Sequence, residues 1–333
     1  MDRGFVSEQA RLMQSLDDDL VQPFEVKPLG VRGRLVRLGP MVDDILHRHA
    51  YPAPVSLLLG EAVALTAMLG SALKFDGKFI LQAHSDGPVD MLVADFTSPG
   101  DMRGYARFNS ERVSSLGRGA SPGTLLGKGH LAMTIDQGAD MERYQGIVAL
   151  DGLGLTSLAH AYFERSEQIP TRVKLAAGPL IGRGATAADA WRAGGILIQH
   201  LPAHGPASPL RFSSGDAPPG TEESVPEDDR WREARLLMET VEDHELLDPT
   251  LAPDRLLYRL FHERGVTVYP PVAMRRHCTC SRQRVAGLLR GFSAEDREHM
   301  REGNRIIVTC EFCSTRYPFD PAEVELQDSE LAQ

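Results

Sequence analysis

The chain has no uninterrupted run of the ~18 apolar residues that a membrane-spanning helix requires. It also has no basic excess, no internal repeat and, in 333 residues, only four cysteines. Each shortage excludes something. The opening segment Met1–Leu20 is polar, carries Asp17, Asp18 and Asp19, and lacks the basic start and apolar centre of a signal peptide. A cytoplasmic protein without a membrane partner is therefore expected. The formal net charge of −10 argues against a sequence-independent grip on nucleic acid, which needs a basic face to neutralise phosphates. No stretch interleaves aromatic with basic side chains as single-strand binders do. There is no Gly-x-Ser-x-Gly, so a hydrolase nucleophile elbow is absent. Gly127-Lys-Gly129 lacks the full phosphate-loop frame and reads as a hairpin turn. His84, His130, His160 and His200 include no pair at i, i+4 with a carboxylate, so a second metal site is not expected. Nothing among these features makes an enzyme, and a non-enzymatic role is expected.

Hydrophobic residues make up 42% of the chain and charged residues 25%, enough for a core of normal size without cysteine staples. Three segments are expected, giving an α+β protein. Residues 1–205 alternate strand-like and helix-like stretches, with short turns that favour a mainly antiparallel sheet. Val31–Leu38 alternates apolar and polar residues as a half-buried strand does. Val55–Leu73 is Ala/Leu-rich and reads as a buried helix, with a secondary option that part of Leu57–Leu73 forms a client or dimer surface. Lys78–Ala83, Met91–Phe96, Gly104–Phe108, Gly129–Ile135, Gly146–Leu150, Arg172–Leu175 and Gly195–His200 read as strands. Leu155–Ser166 reads as a helix capped at Thr156 or Ser157, and Tyr144, Tyr162 and Phe163 as core. Residues 206–265 form a linker. Its Pro/Gly-rich start, within Pro202–Pro226, cannot hold a regular element. Helical spacing follows at Trp231, Ala234, Leu237, Met238 and Val241, then a second helix at Pro253–His262. Acidic side chains outnumber basic ones by 13 to 4 between Ser213 and Arg255. Such short, charged helices are expected to bury little and to depend on what they lean on.

Residues 266–325 carry the cysteines: Cys278-Thr-Cys280, a gap of 29 residues, then Cys310-Glu-Phe-Cys313. Two helices, Ser281–Leu289 and Ser293–Glu302, and a strand, Arg305–Thr309, lie between and beside them, and Pro321 opens a short helix. Two close pairs can bring four sulfurs to one point, the geometry of a tetrahedral zinc site with Zn–S near ~2.3 Å. The same sulfurs can alternatively pair as two disulfides. His277 adjoins the first pair but is expected to be a bystander. Arg275, Arg276, Arg282 and Arg284 either support thiolates or are solvated surface charges. A module of roughly 60 residues is too small to fold comfortably without a clip, and structural zinc supplies on the order of 10–16 kcal/mol of folding energy. One Zn2+ per chain, held by Cys278, Cys280, Cys310 and Cys313, is the expected cofactor.

With these residues laid out, the chain resembles the 33 kDa chaperonin family of bacterial heat-shock proteins. The resemblance is carried by Val31-Arg-Gly-Arg-Leu35, Tyr51-Pro-x-Pro-Val55, Leu73-Lys-Phe-Asp-Gly77, Asp86-Gly-Pro88, Met102-Arg-Gly-x-Ala106, Glu142-Arg-Tyr-Gln-Gly146 and Tyr162-Phe-x-Arg-Ser-Glu-Gln-x-Pro-Thr-Arg172. In the C-terminal part it is carried by Leu257-Tyr-Arg-Leu-Phe-His262, Val266-Thr-Val-Tyr269, Cys278-Thr-Cys-Ser-Arg282 and the final Cys-x-x-Cys. It implies a redox-regulated, ATP-independent holdase that is inactive when reduced and zinc-bound. Oxidation is then expected to form the disulfides Cys278–Cys280 and Cys310–Cys313, expel zinc, and unfold the module and linker. The exposed surface would bind unfolding client proteins and promote a homodimer, with clients handed on to ATP-dependent foldases. Neighbour disulfides close tiny loops and cannot replace the metal as a staple. Ala203–Asp229 is longer and richer in Pro and Gly than the family leads one to expect, and Gly182–Trp191 is insert-like; the long spacer is expected to loosen linker coupling. Two other readings stand beside this one. One is a zinc-stabilised adaptor, the other a thiol oxidoreductase using Cys310 and Cys313, although no thioredoxin-like context surrounds that pair.

Overall fold

The computed structural model describes residues 18–73, 76–117, 119–138, 143–164, 169–180, 190–201 and 228–325. The chain opens with β1 (Leu20–Val26) and β2 (Val31–Leu38), then α1 (Pro40–His47) and α2 (Ala53–Gly70). Next come β3 (Lys78–Ser85), β4 (Val89–Thr97) and β5 (Asp101–Phe108), the short helices α3 (Ser110–Leu116) and α4 (Pro122–Leu126), β6 (Lys128–Asp136), β7 (Tyr144–Asp151), α5 (Leu155–Tyr162), β8 (Thr171–Leu180) and β9 (Ala190–His200). After the linker stretch come α6 (Asp229–Glu239), α7 (Asp243–Leu247) and α8 (Pro253–Phe261). Three two-residue strands follow, β10 (Thr267–Val268), β11 (Val272–Ala273) and β12 (Arg275–Arg276). The C-terminal module holds α9 (Arg282–Arg290), α10 (Ala294–His299), β13 (Arg301–Glu302), β14 (Arg305–Thr309), β15 (Arg316–Phe319) and α11 (Pro321–Glu325).

The strands form three sheets. The first runs β10-β1-β2-β9-β8, with β11 also on β1; the second runs β12-β5-β4-β3-β6-β7; the third, β13-β14-β15, belongs to the module. Pairing is antiparallel except where β12 joins β5. The fold is thus the α+β arrangement expected, and the strands read from the sequence are present, most with longer ends. The helix read at Leu155 begins there, but Gly154 caps it with no side-chain bond, so neither Thr156 nor Ser157 does so. Gly127 ends α4 rather than turning a hairpin, and Lys128 already belongs to β6. Tyr162 and Phe163 are core, whereas Tyr144 is exposed. The Pro/Gly-rich stretch at 202–227 and the insert at 182–189 lie outside the described residues.

Helix α2 lies between the two large sheets and contacts β2, β3, β4, β5, β8 and β9. By length and apolar content it is a run that could cross a membrane, contrary to the expectation that none exists, yet 78% of it is buried inside the fold. That burial explains why it is apolar on every side, and it leaves α2 a core helix rather than a client surface. Its last residue, Gly70, is required by close approach, since a Cβ there would meet the Phe96 ring at 2.3 Å.

The first sheet is apolar on both faces. Val21, Val36, Val173, Leu175, Ala193 and Leu197 join the core around α2. The alternate positions Phe24, Val26, Leu35, Ala176, Ile196 and Ile198 point the other way, into a second core. That second core is completed by Trp231, Ala234, Met238, Leu246, Leu256, Leu257, Leu260 and Phe261 from α6, α7 and α8, and by Val241 from the turn between α6 and α7. The expectation that these charged helices bury little is therefore wrong. Their acidic residues face outward while one narrow apolar stripe is almost fully buried, at roughly 1.5–3 kcal/mol for each large side chain. Phe261 stacks on Phe24 at 5.8 Å and Trp231 on His200 at 5.7 Å. Polar ties reinforce the cover: the buried Arg37 guanidinium donates to the carbonyls of Asp248 and Leu251, and Lys174 donates to Val241 O.

Two outcomes test this arrangement. Phe261→Ala should cost about 3–5 kcal/mol, felt as lost amide-exchange protection in α6–α8 with α2 unchanged; equal loss in both would refute a separable cover. Glu61, on α2, is pushed up to about 7, chiefly by burial and secondarily by Asp243 on α7. Its raised value contributes stability that is complete below pH 4.5 and is lost as pH rises through about 7. Glu61→Gln should therefore gain about 2 kcal/mol over the parent at pH 8 and nothing at pH 4, as read by urea denaturation at both values.

Candidate metal centre

The cysteines are set by local structure. Cys280 precedes Ser281, whose hydroxyl caps α9 by accepting from the Arg284 amide at 3.2 Å. Cys310 follows β14, and the loop to Cys313 is closed by Ser314 N donating to Cys310 O at 2.8 Å and Cys310 N donating to Thr315 O at 3.0 Å. Ser314 adopts a left-handed φ of +56° to make that turn. The four Sγ atoms all lie within 4.8 Å of one another. The Cys278–Cys310 sulfurs are 3.7 Å apart and the Cys280–Cys313 sulfurs 3.3 Å. A tetrahedral thiolate site with Zn–S near 2.3 Å has edges of ~3.8 Å, so this donor set is compatible with one zinc ion.

Burial raises the thiols of Cys278, Cys280 and Cys310. Burial also acts to raise Cys313, but hydrogen bonds with the Thr315 side chain and backbone, then with the sulfurs of Cys280 and Cys310, outweigh it and bring this thiol down to about 6. Cys313 is thus the sulfur most ready to lose its proton. The Tyr317 hydroxyl donates to Cys280 Sγ at 3.1 Å.

Among the described residues, no histidine or carboxylate joins the four-cysteine cluster. His277 engages through its backbone, donating to Met102 O at 2.9 Å. The nearby arginines hold other partners: Arg275 pairs with Asp101, Arg276 with Asp44, Arg282 with Glu323, and Arg284 donates to Thr279 O. His84 and His130 meet across the β3–β6 pair, with rings 5.5 Å apart, without a third ligand group.

The module's own core is small: Leu289, Ile306, Phe319 and Val324. A strap, residues 266–277, joins it to the rest. Within the strap, β10 and β11 pair with β1, while β12 pairs with β5. It therefore stitches the two large sheets together between the end of α8 and the first cysteine. Gly100 permits that approach, because a Cβ there would lie 2.0 Å from Ala273 O.

Sequence reasoning did not foresee the face on which the module docks. Arg103 lies 4.0 Å over the Phe312 ring, and Tyr105 flanks it at 6.1 Å. Ser314 Oγ is 3.1 Å from His49 Nδ1, and Arg48 donates to Cys313 O at 3.4 Å. The one available signal was an aromatic residue between two ligand-spaced cysteines, where no module core needed it.

Fold and site together define the class: a two-sheet α+β protein carrying a small four-cysteine module folded back on its first body. Comparisons with known proteins agree. The Hsp33 protein family profile matches residues 19–320. The chain is 45% identical over 309 residues to the 33 kDa chaperonin of Caulobacter vibrioides, covering 91% of this chain and 95% of that one. It is 35% identical over 309 residues to the 33 kDa chaperonin of Ectopseudomonas mendocina, covering 92% and 94%. The crystal structure of the Thermotoga maritima 33 kDa chaperonin superposes with a TM-score of 0.71 at 21% identity, over 95% of this chain and all of that one. The chain belongs to the Hsp33 family, a family of chaperones.

Removal of bound metal by a chelator under reducing conditions is expected to unfold the module, since metal binding of on the order of 10–16 kcal/mol is folding energy here. Amide-exchange protection should vanish in β14 and β15 while the β3–β6 pair keeps its own. Unchanged protection in β14 would show that the module folds without metal.

Proposed function

We propose that the chain is a redox-regulated, ATP-independent holdase of the cytoplasm, not an enzyme. Residues 1–205 act as the client-binding and dimerising body, 206–265 as a metastable linker, and 266–325 as the redox switch. The observation that carries this reading is the cover on the first sheet. Seven buried apolar positions on that sheet are shielded by α6–α8, and the chain leaving α8 runs through a short strap straight to Cys278. Releasing the cover would present an apolar sheet face to unfolding proteins.

In the reduced form Cys278, Cys280, Cys310 and Cys313 hold one zinc ion, which supplies a staple and keeps the sulfurs as thiolates. Each neighbouring pair, Cys278 with Cys280 and Cys310 with Cys313, gives up two electrons to a peroxide or hypochlorite oxidant and forms an S–S bond. The oxidant is reduced to water or chloride. The sulfurs no longer ligate metal, and a core of four apolar side chains does not hold the module alone. The strap and then the linker helices lose their anchor. The freed segment meets varied partners, the exposed faces favour a homodimer, and clients pass later to ATP-dependent foldases.

The test pairs metal release with aggregation suppression. Reduced protein is treated with hypochlorite, or with peroxide under mild heat, while a chromogenic chelator follows zinc and light scattering follows a thermally unfolding client. The expected result is about one zinc per chain leaving as suppression appears, with peptide mapping locating the two neighbour disulfides. Zinc retained, or released without gain in suppression, would favour a constitutive zinc-stabilised adaptor. Catalytic turnover of a disulfide substrate would favour a thiol oxidoreductase.

A further inference from the structure

Phe312 lies between two of the cysteines yet takes no part in the module's core, which is built from Leu289, Ile306, Phe319 and Val324. Its ring instead faces the first body. There Arg103 sits at 4.0 Å over it and Tyr105 at 6.1 Å beside it. Tyr105 leans on His49 at 5.6 Å, and His49 stacks on Tyr51 at 5.0 Å. Arg103 and Tyr105 thus make a notch for the Phe312 ring, with the His49–Tyr51 stack against Tyr105.

The notch is built chiefly on β5 and its neighbours in the first body, although the module touches it too, Arg103 donating to Thr279 Oγ1 at 3.4 Å and Ser314 Oγ lying 3.1 Å from His49 Nδ1. Arg103 and Tyr105 lie on β5, which is paired along its length with β4. Arg103 is held from behind by the buried Asp95, at 2.5 Å. The Tyr51 hydroxyl accepts from Ala106 N at 3.0 Å, fixing the His49–Tyr51 stack to the same strand. The occupant is different in kind. Phe312 stands on the short loop between Cys310 and Cys313, whose shape depends on its sulfurs. Once that loop lets go, the receptor persists and its ligand leaves. A guanidinium over a ring face is attracted to it, and flanking rings add to the hold. Such a contact is weak between separate molecules but effective within one chain, where the local concentration is of millimolar order.

We infer that the Arg103–Tyr105–His49 notch is a binding site for an aromatic side chain, filled by Phe312 while the cysteine loop is closed and open to exposed aromatic residues of unfolding proteins once the loop is released. The second occupant rests on the holdase reading; the site itself does not. It assigns the substrate class by chemistry: extended segments bearing Phe, Tyr or Trp.

The first experiment uses full-length, reduced, zinc-loaded Phe312→Ala. The probe is a peptide spanning residues 308–315 with both cysteines replaced by serine, titrated into the millimolar range and followed through the NMR signals of the β5 residues. Binding to Phe312→Ala should be about tenfold tighter than to the parent, where Phe312 competes in cis. It should be lost when the peptide's Phe is Ala, and should weaken about tenfold in Phe312→Ala/Arg103→Ala. Tyr105→Leu, on the outward face of β5, is the second variant, guarding against a fold defect at Arg103, and should weaken binding severalfold. No binding, or equal binding to parent and variant, overturns the site and leaves the holdase reading intact. The second experiment oxidises the parent and Tyr105→Leu fully and compares suppression of an aromatic-rich client. A severalfold loss supports the client role, and equal suppression overturns it.

Discussion

A sheet that is apolar on both faces must be covered on both, and the rest of this structure follows from how that is done. One face is covered by α2 and the second sheet. The other is covered by three short helices whose outer surfaces are dense with acidic charge. Those helices add little to their own stability: α7 has five residues and α8 nine, below the length at which isolated helices persist in water. They stay folded because Trp231, Met238, Leu257 and Phe261 fit against Phe24, Leu35, Ile196 and Ile198. Carbonyls at Val241, Asp248 and Leu251 meet Lys174 and Arg37 rising from the sheet. Such a cover is held by contact with the body rather than by itself, the condition for opening as a unit.

What lies beyond the cover is equally dependent. The strap holds to two sheets by backbone bonds from β10, β11 and β12, by Met274 buried in the main core and by side-chain ties from Tyr269, Arg275 and Arg276, and the module beyond it has a fully buried core of four side chains. The four sulfurs lie within 4.8 Å of one another. A metal ion held there would tie the two ends of the module, at residues 278–280 and 310–313, to one point. The docking of Phe312 under Arg103 adds a second hold on the module, one that depends on the shape of the same loop.

The acidic balance of the linker fits this design. Its carboxylates keep clear of the apolar stripe, and several pair with arginines, Glu233 with Arg264, Glu239 with Arg235 and Glu245 with Arg259, while the half-buried Glu61 is pushed up to about 7, chiefly by burial and secondarily by Asp243.

By itself the sequence determined whatever is local. The two cysteine pairs announced a four-sulfur cluster because ligand spacing is a property of short loops. The β2 and β14 strands were legible at their exact limits, and the Ser293 cap from the residues that follow it. β1 was not, because Pro23 and the polar Gln22 and Glu25 interrupt a pattern whose burial comes from both sides at once. Asp18 and Asp19 read as a solvated start, yet Asp18 pairs with the buried Arg192 and Asp19 accepts from the amides of Gly39 and Met41. The linker helices were found, but composition alone suggested that they bury little. Only the tertiary structure decided that their single apolar stripe meets a matching face on a distant sheet, and that Phe312 finds its partner on β5. Charge density and helical period describe a segment; burial depends on what surface the rest of the chain brings to it.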